Sequence, residues 1–233
     1  RIRAAGVEAH AVDDRLRRRR IRTRLAVGHR DRDLRAVREA CRTAATWPDH
    51  LTIAVNLSAP QFDKDRIVDV VTSALAETGL LPSRLELEIT ESLLIERPDD
   101  VLATLMRLKE LGVSIAMDDF GTGYSSLSYL LKFPFDKIKI DKSFISAIDH
   151  DKAACDVLRT IGSLGKTLGI RITAEGVETE EQVTFLRAIA CDQLQGFFFA
   201  KPLHSEGVAS FLLANAAQPL KTVNNEAPAN KPA

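Results

Sequence analysis

The feature that most constrains the fold of this chain is a regular alternation of strand-like and helix-like segments after residue 50. Such alternation requires parallel strands joined by right-handed crossovers. A (β/α) barrel of the TIM type is the predicted architecture, and an open doubly wound sheet is the alternative. The six predicted strands are 51–57, 84–90, 113–118, 137–140, 170–174 and 192–196.

Polar residues cluster where these strands end. Any one of them could be a helix cap. A series across six units favours the barrel, because barrels build their sites at the carboxyl ends of the strands. The polar residues at or near the strand ends are Asn56, Glu88, Asp118, Asp119, Lys139, Glu175 and Gln195.

One stretch places two carboxylates side by side. Asp118 and Asp119 end a buried-looking strand, and Gly121 and Gly123 follow, which let the backbone turn tightly and approach a ligand. Adjacent like charges repel unless a cation or a shared proton offsets them. The pair therefore predicts a divalent metal site, and a cap for the helix starting near Tyr124 is the alternative.

The predicted donors are oxygen atoms, without histidine or cysteine, which selects Mg²⁺ or Mn²⁺. Four carboxylates carry more charge than one ion balances, so we expect two ions about 3.5–4 Å apart, suited to phosphoryl displacement. Lys139 is expected to hold the attacking water or to stabilise developing charge. A plain salt bridge is its alternative, and the alternation from Lys137 to Ile140 argues against that. Glu175 is the candidate general base or a further ligand.

Composition limits the function classes. Formal net charge is zero, yet eleven residues from Arg15 to Arg38 are arginine, so the remainder is net acidic. An acidic body disfavours a nucleic-acid polymer as partner. The arginine-rich stretch predicts a poorly ordered arm, with a nucleic-acid or membrane patch as its alternative. Three separated cysteines indicate reduced thiols and a cytoplasmic location, and no stretch is long and apolar enough to span a membrane.

Local patterns complete the prediction. An edge strand is expected to end near Glu8, and a helix to cover 35–47. Thr179 and Gln182 have the spacing of a capping box. We predict a divergent segment over 1–35, a barrel domain over 36–214 and a disordered tail over 215–233.

From about Arg38 to Leu213 the chain resembles the EAL domain family. The motifs that carry this resemblance are Asn56-Leu57-Ser58, Glu86-Leu87-Glu88-Ile89-Thr90-Glu91, Asp118-Asp119-Phe120-Gly121-Thr122-Gly123, Lys139-Ile140-Asp141, Ala174-Glu175-Gly176-Val177-Glu178 and Gln195-Gly196-Phe197. The resemblance implies a modified TIM barrel with one antiparallel strand, here incomplete at its N-terminal side. It also implies hydrolysis of the bacterial messenger cyclic di-GMP to linear pGpG with Mg²⁺ or Mn²⁺.

The resemblance also implies roles for single residues. The positions that match metal ligands are Glu8, Asn56, Glu88, Asp118 and Asp119. Lys139 matches the lysine on the catalytic water, and Glu175 matches the base or a ligand. Glu91 and Glu178 match supporting glutamates, and Gln195 matches a residue near the metals. Homodimers and accompanying sensory or cyclase domains are common in such a family.

The N-terminal part departs from the family pattern. Gly6 to Ala9 resembles the start of the Glu-Ala-Leu signature, but His10 stands where leucine is expected. The stretch from Glu8 to Arg38 is also shorter than usual, and the arginine that binds substrate has no match. Our hypothesis is that residues 10–35 come from a shifted reading frame. If they are real protein, the barrel is open on one side. The alternative function is then a degenerate module that binds cyclic di-GMP or a protein partner without turnover.

Overall fold

The computed structural model describes residues 8–14, 20–24, 30–57, 66–96, 98–121 and 127–201, with the side chains of those from residue 35 onward except 95, 96 and 127. The strands are β1 (Glu8–Asp14), β2 (Arg20–Arg24), β3 (Ile53–Leu57), β4 (Leu85–Thr90), β5 (Ser114–Phe120), β6 (Lys137–Ile140), β7 (Arg171–Glu175) and β8 (Gln193–Gln195). The helices are α1 (Arg30–Ala45), α2 (Arg66–Thr78), α3 (Glu91–Glu96), α4 (Pro98–Glu110), α5 (Leu127–Lys132), α6 (Lys142–Ser146), α7 (Lys152–Leu168) and α8 (Glu180–Ala188).

All eight strands belong to one sheet, in the order β2-β1-β8-β7-β6-β5-β4-β3. Strands β3 to β8 pair in parallel, and β1 pairs antiparallel with both β8 and β2. Of the eight, β1 therefore alone runs against the others. The end strands β2 and β3 approach within 8 Å between Cα atoms. The predicted architecture is confirmed: this is a modified (β/α) barrel, incomplete on its N-terminal side.

Two aspartates fix the alignment of neighbouring strands along the sheet. The Asp136 carboxylate accepts the Ile115 N–H at 2.7 Å, and the Asp136 N–H donates to the Ile115 carbonyl at 2.9 Å. Asp192 repeats this arrangement with Ile172, at 2.8 and 3.0 Å. Because both contacts lie where the strands begin, they fix the register that brings the strand ends together at the opposite edge.

The N-terminal segment corrects two predictions. The edge strand was expected to end near Glu8, and β1 instead begins there. The stretch from 11 to 35 was expected to lack regular structure, yet it contains β2 and the first turn of α1. Strand β1 pairs with β8 and β2 pairs with β1, and such backbone pairing leaves no apolar period in the sequence. The domain limits at residues 35 and 214 stay predictions, and the last helix and the tail lie outside the described residues.

The predicted capping box is confirmed, because Thr179 caps α8 together with Gln182, and Pro98 begins α4. All three cysteines are free thiols, and burial raises the pKa of Cys41 to about 11. Within the described ranges no helix has the length and hydropathy needed to cross a membrane.

Candidate functional site

A β-bulge brings the two adjacent aspartates to one place. In the β5–β6 ladder, Met117 lies opposite Ile138 and Phe120 lies opposite Ile140. Between these two pairs β5 has two residues and β6 has one, so β5 contains one extra residue. Asp119 takes up the extra residue with a φ of 54°, in the left-handed region. Regular alternation would send neighbouring side chains to opposite faces of the sheet. The bulge interrupts this alternation, so the side chains of Asp118 and Asp119 need not lie on opposite faces of the sheet.

Lys139 lies at the centre of an acidic cluster, which we call the upper layer. Its Nζ is 2.8 Å from Glu88 Oε2, 2.5 Å from Asp118 Oδ1 and 2.6 Å from Glu175 Oε1. These side chains come from β4, β5, β6 and β7, and the first three are buried. The salt bridge that the sequence analysis argued against is therefore present, with three carboxylates instead of one.

The upper layer carries a surplus of negative charge. Within the part of the chain that the structure describes, one ammonium contacts three carboxylates, and Asp119 adds a fourth nearby. Burial raises the pKa of Asp119, and the neighbouring Asp118 carboxylate raises it further. The surplus is the electrostatic condition that a divalent cation relieves.

A second buried pair lies two residues earlier on the same strands. Lys137 Nζ and Glu86 Oε2 form a short hydrogen-bonded ion pair, with side chains only 2% and 5% exposed. We call this pair the lower layer. Glu86 was not predicted, although Glu86-Leu87-Glu88 alternates in the same way as Lys137-Ile138-Lys139. Matching polar positions on β4 and β6 are the signal that could have found it.

Two further predicted residues lie in register with the upper layer. Asn56, half-buried on β3, lies opposite Glu88 on β4. Gln195 ends β8 opposite Glu175. Because Val12 of β1 also lies opposite Gln195 and β1 runs the other way, the backbone of Glu8 lies beyond the carboxyl end of β8. The Glu8 side chain lies outside the described part.

The supporting residues are placed as follows. Glu91 begins α3 directly after β4 and is buried. Glu178 is exposed, and its backbone N–H donates to Gln182 Oε1 at 2.8 Å. Gly121 has a φ of 96°, so it supplies the tight turn predicted after the aspartates. Gly123 and the start of the predicted capped helix lie outside the described residues.

The donor set is chemically suited to a hard divalent ion, since carboxylate and amide oxygens are the ligands of Mg²⁺ and Mn²⁺. Over the described ranges, no three His, Cys, Asp or Glu side chains stand in a metal-holding arrangement. The carboxylates converge on Lys139 instead. The metal-ligand roles of single residues therefore stay predictions.

Fold and site together define a class: a (β/α) barrel with one reversed strand and a lysine-centred acidic cluster at the carboxyl edge. The family model of the EAL domain matches residues 29–202. The chain therefore belongs to the EAL domain family, and Glu8 lies outside the match.

Three comparisons locate the chain within this family. The cyclic di-GMP phosphodiesterase NbdA of Pseudomonas aeruginosa is 40% identical over 195 residues, which cover 81% of this chain and 25% of NbdA. The c-di-GMP complex of the PaMucR phosphodiesterase matches with a TM-score of 0.78 at 35% identity, covering 87% of this chain and 93% of that chain. The manganese/cy-diGMP complex of BlrP1 from Klebsiella pneumoniae matches with a TM-score of 0.77 at 28% identity, covering 86% and 56%.

The curated relatives are much longer than the stretch they share with this chain. The match covers between 20% and 25% of each of the first six. What those proteins do as a whole therefore rests partly on segments that have no counterpart in the match.

Proposed function

We propose that this chain hydrolyses cyclic di-GMP to linear pGpG in a reaction that depends on Mg²⁺ or Mn²⁺. The observation that carries the proposal is the upper layer, in which Lys139 lies within 2.8 Å of three carboxylates at the carboxyl edge of an EAL-family barrel. Relatives named as cyclic di-GMP phosphodiesterases, and a manganese/cy-diGMP complex, support it.

The reaction is an in-line displacement at phosphorus. Water oxygen bonds to one phosphorus, one P–O3′ bond breaks, and the released 3′ oxygen takes a proton. When bound, two divalent ions would activate the water and neutralise charge on the phosphate. Asn56, Glu88, Asp118 and Asp119 supply oxygen ligands in this proposal, with Glu8 as a fifth.

Lys139 and Glu175 act on the protons and the charge. Lys139 Nζ carries three hydrogens, so it can donate one hydrogen bond to the attacking water while it keeps a hydrogen bond to a carboxylate. Glu175 is less buried than Glu88 or Asp118, with a side chain 18% exposed, so it is better placed to meet water and accept its proton.

A second candidate function is binding of cyclic di-GMP without turnover. The observation in its favour is that the family match begins at residue 29, which leaves Glu8 outside it, and the substrate arginine that the resemblance implies has no match in the sequence. In both cases we expect a cytoplasmic location, where a bacterial messenger is made and degraded. We also expect a homodimer, and sensory or cyclase domains in a longer protein.

One assay separates the two functions. The purified chain is incubated with cyclic di-GMP and Mn²⁺, pGpG is measured by chromatography, and binding is measured by calorimetry. We expect pGpG from the wild type and from the exposed control Lys166→Ala, and a loss of about 100-fold or more in Lys139→Ala. Binding without product would support the second candidate. Neither binding nor product would overturn both.

A further inference from the structure

Helix α6 lies between two loops that follow site strands. Gly121 comes directly after β5, and a Cβ built there would lie 2.6 Å from Cε2 of the Phe144 ring. Gly176 comes directly after Glu175 at the end of β7, and its Cβ would lie 2.5 Å from Cβ of Lys142. Both glycines have positive φ, at 96° and 74°. A short helix thus touches the backbone of both loops.

We propose that α6 is a clamp that positions Asp119 and Glu175 relative to Lys139, with Phe144 and Lys142 as its positioning residues. The inference rests on the proposed function for its catalytic consequence. Helix α6 starts three residues after Lys139, so it is anchored to the strand that carries the central ammonium. Its contacts lie two residues after Asp119 and one residue after Glu175. One rigid unit therefore relates three site residues on three strands.

The helix itself is firmly anchored. Asp141 caps it by accepting the Ser143 N–H at 2.9 Å, and Ile145 is buried in the core. Burial alone would raise the pKa of Asp141, but hydrogen bonds from the hydroxyl and N–H of Ser143 outweigh this and lower it. The cap is therefore an ionised carboxylate at neutral pH, which stabilises the first turn.

Among the described glycines with positive φ, Gly121 and Gly176 are the two with a neighbour closer than 3.0 Å, although Gly162 and Gly165 within α7 pack as closely elsewhere. Gly79 and Gly169 also have positive φ, at 67° and 69°, and a Cβ at either would meet no atom within 4 Å. At those two positions glycine is needed for backbone conformation alone. At Gly121 and Gly176 it is needed also for space, because α6 occupies the volume of a side chain.

The clamp extends to Gln195 through the next loop. The Val177 N–H donates to the Gln195 carbonyl at 3.0 Å, and the Phe198 N–H donates to the Val177 carbonyl at 3.0 Å. A Cβ on Gly196 would lie 2.0 Å from the Val177 carbonyl oxygen. The loops after β7 and β8 are therefore joined through backbone atoms, so a shift at Gly176 is passed on to Gln195.

The test compares Gly176→Ala with Gly169→Ala. Both impose a left-handed conformation on alanine, so both should lower the melting temperature, and Gly176→Ala should lower it further because its methyl group also meets Lys142. Only Gly176→Ala should push α6 away. We expect faster amide exchange in residues 114–121, across the clamp, together with a fall in kcat of about 10- to 100-fold at a nearly unchanged KM. Equal exchange in the two variants would overturn the clamp.

A rescue experiment separates positioning from general damage. Gly121→Ala should reduce kcat in the same way, and Phe144→Leu added to it removes the ring atoms that the new methyl group meets, so the part of the loss caused by that contact should return while the strain of alanine at a φ of 96° remains. Failure of the rescue would contradict the role of Phe144. If the wild type makes no pGpG, the proposed function fails. The clamp is then decided by the same comparison of amide exchange, which needs no turnover.

Discussion

The lower and upper layers of buried charge each contain a lysine of β6 and a glutamate of β4, and they differ in the number of carboxylates that the lysine contacts. Among the described residues Lys137 forms an ion pair with one carboxylate, Glu86, and both side chains are almost fully buried. Lys139, two residues on, meets three carboxylates and has Asp119 close by. A balanced pair needs nothing further. An unbalanced cluster is stable only if something else brings positive charge, and that distinguishes a binding site from a structural ion pair.

The largest expected effect concerns the lower layer. Lys137→Met leaves Glu86 buried without its cation, so we expect the free energy of unfolding to fall by about 3–5 kcal/mol. Lys137→Met combined with Glu86→Met replaces the pair with apolar side chains of similar volume and should recover most of that loss. Chemical denaturation measures both. A single variant as stable as the wild type would show that the pair contributes no electrostatic stabilisation.

The same double replacement in the upper layer is the matched control. Lys139→Met with Glu88→Met leaves Asp118 and Glu175 without the ammonium that both contact. We therefore expect no recovery relative to Lys139→Met alone. Recovery equal to that of the lower layer would erase the distinction between the layers.

A smaller effect of opposite sign is expected at Asp119. Asp119→Gly relieves the left-handed backbone conformation and removes a repelling charge, so without metal it should raise the free energy of unfolding by about 0.5–1 kcal/mol. Turnover should be lost. Asp119→Asn keeps the side-chain size and removes only the charge. Comparing it with Asp119→Gly therefore separates the gain in stability from charge removal from the gain from backbone relief. A loss of stability in both variants would mean that the bulge depends on this carboxylate.

The smallest effect is a pH dependence that differs between two aspartates. Asp119 has a raised pKa, so its charge costs stability above that pKa and the cost disappears as pH falls. Asp141 has a lowered pKa, so it contributes stability above about pH 3.9, which is lost as pH falls through the folded-state pKa. At pH 7 in a chelating buffer, Asp119→Asn should exceed the wild type in stability and Asp141→Asn should fall below it. Both differences should shrink on acidification, and a difference that grew would refute the assigned direction.

Much of the fold could be predicted from the sequence because the patterns that indicate strands, helices and helix ends are local. Strand and helix periods differ, and Pro98, the Thr179 capping box and Gly169 mark helix ends within a few residues. The short helices α3 and α6 were missed, because six and five residues are too few to show a helical period. Strand β1 was misplaced because its partner β8 is distant in sequence, and β2, which pairs with β1, was missed because the arginine-rich stretch shows no strand period.

The candidate site was predicted as a set of residues but not as an arrangement. Each polar residue follows its own strand, and parallel strands end at one edge, so their proximity was deducible. The lysine-centred geometry was not, because alternation describes one strand and says nothing about which carboxylate lies across from it.

The sequence by itself determined that strands and helices alternate, and that acidic residues with one lysine gather at the carboxyl edge, because backbone periods and strand ends are local properties. Only the tertiary structure decided that Glu86 belongs to Lys137, that Glu88, Asp118 and Glu175 share Lys139, and that α6 fills the space beside Gly121 and Gly176. These facts depend on register and on one bulge in β5. A shift of one residue in either would send the same side chains to the other face.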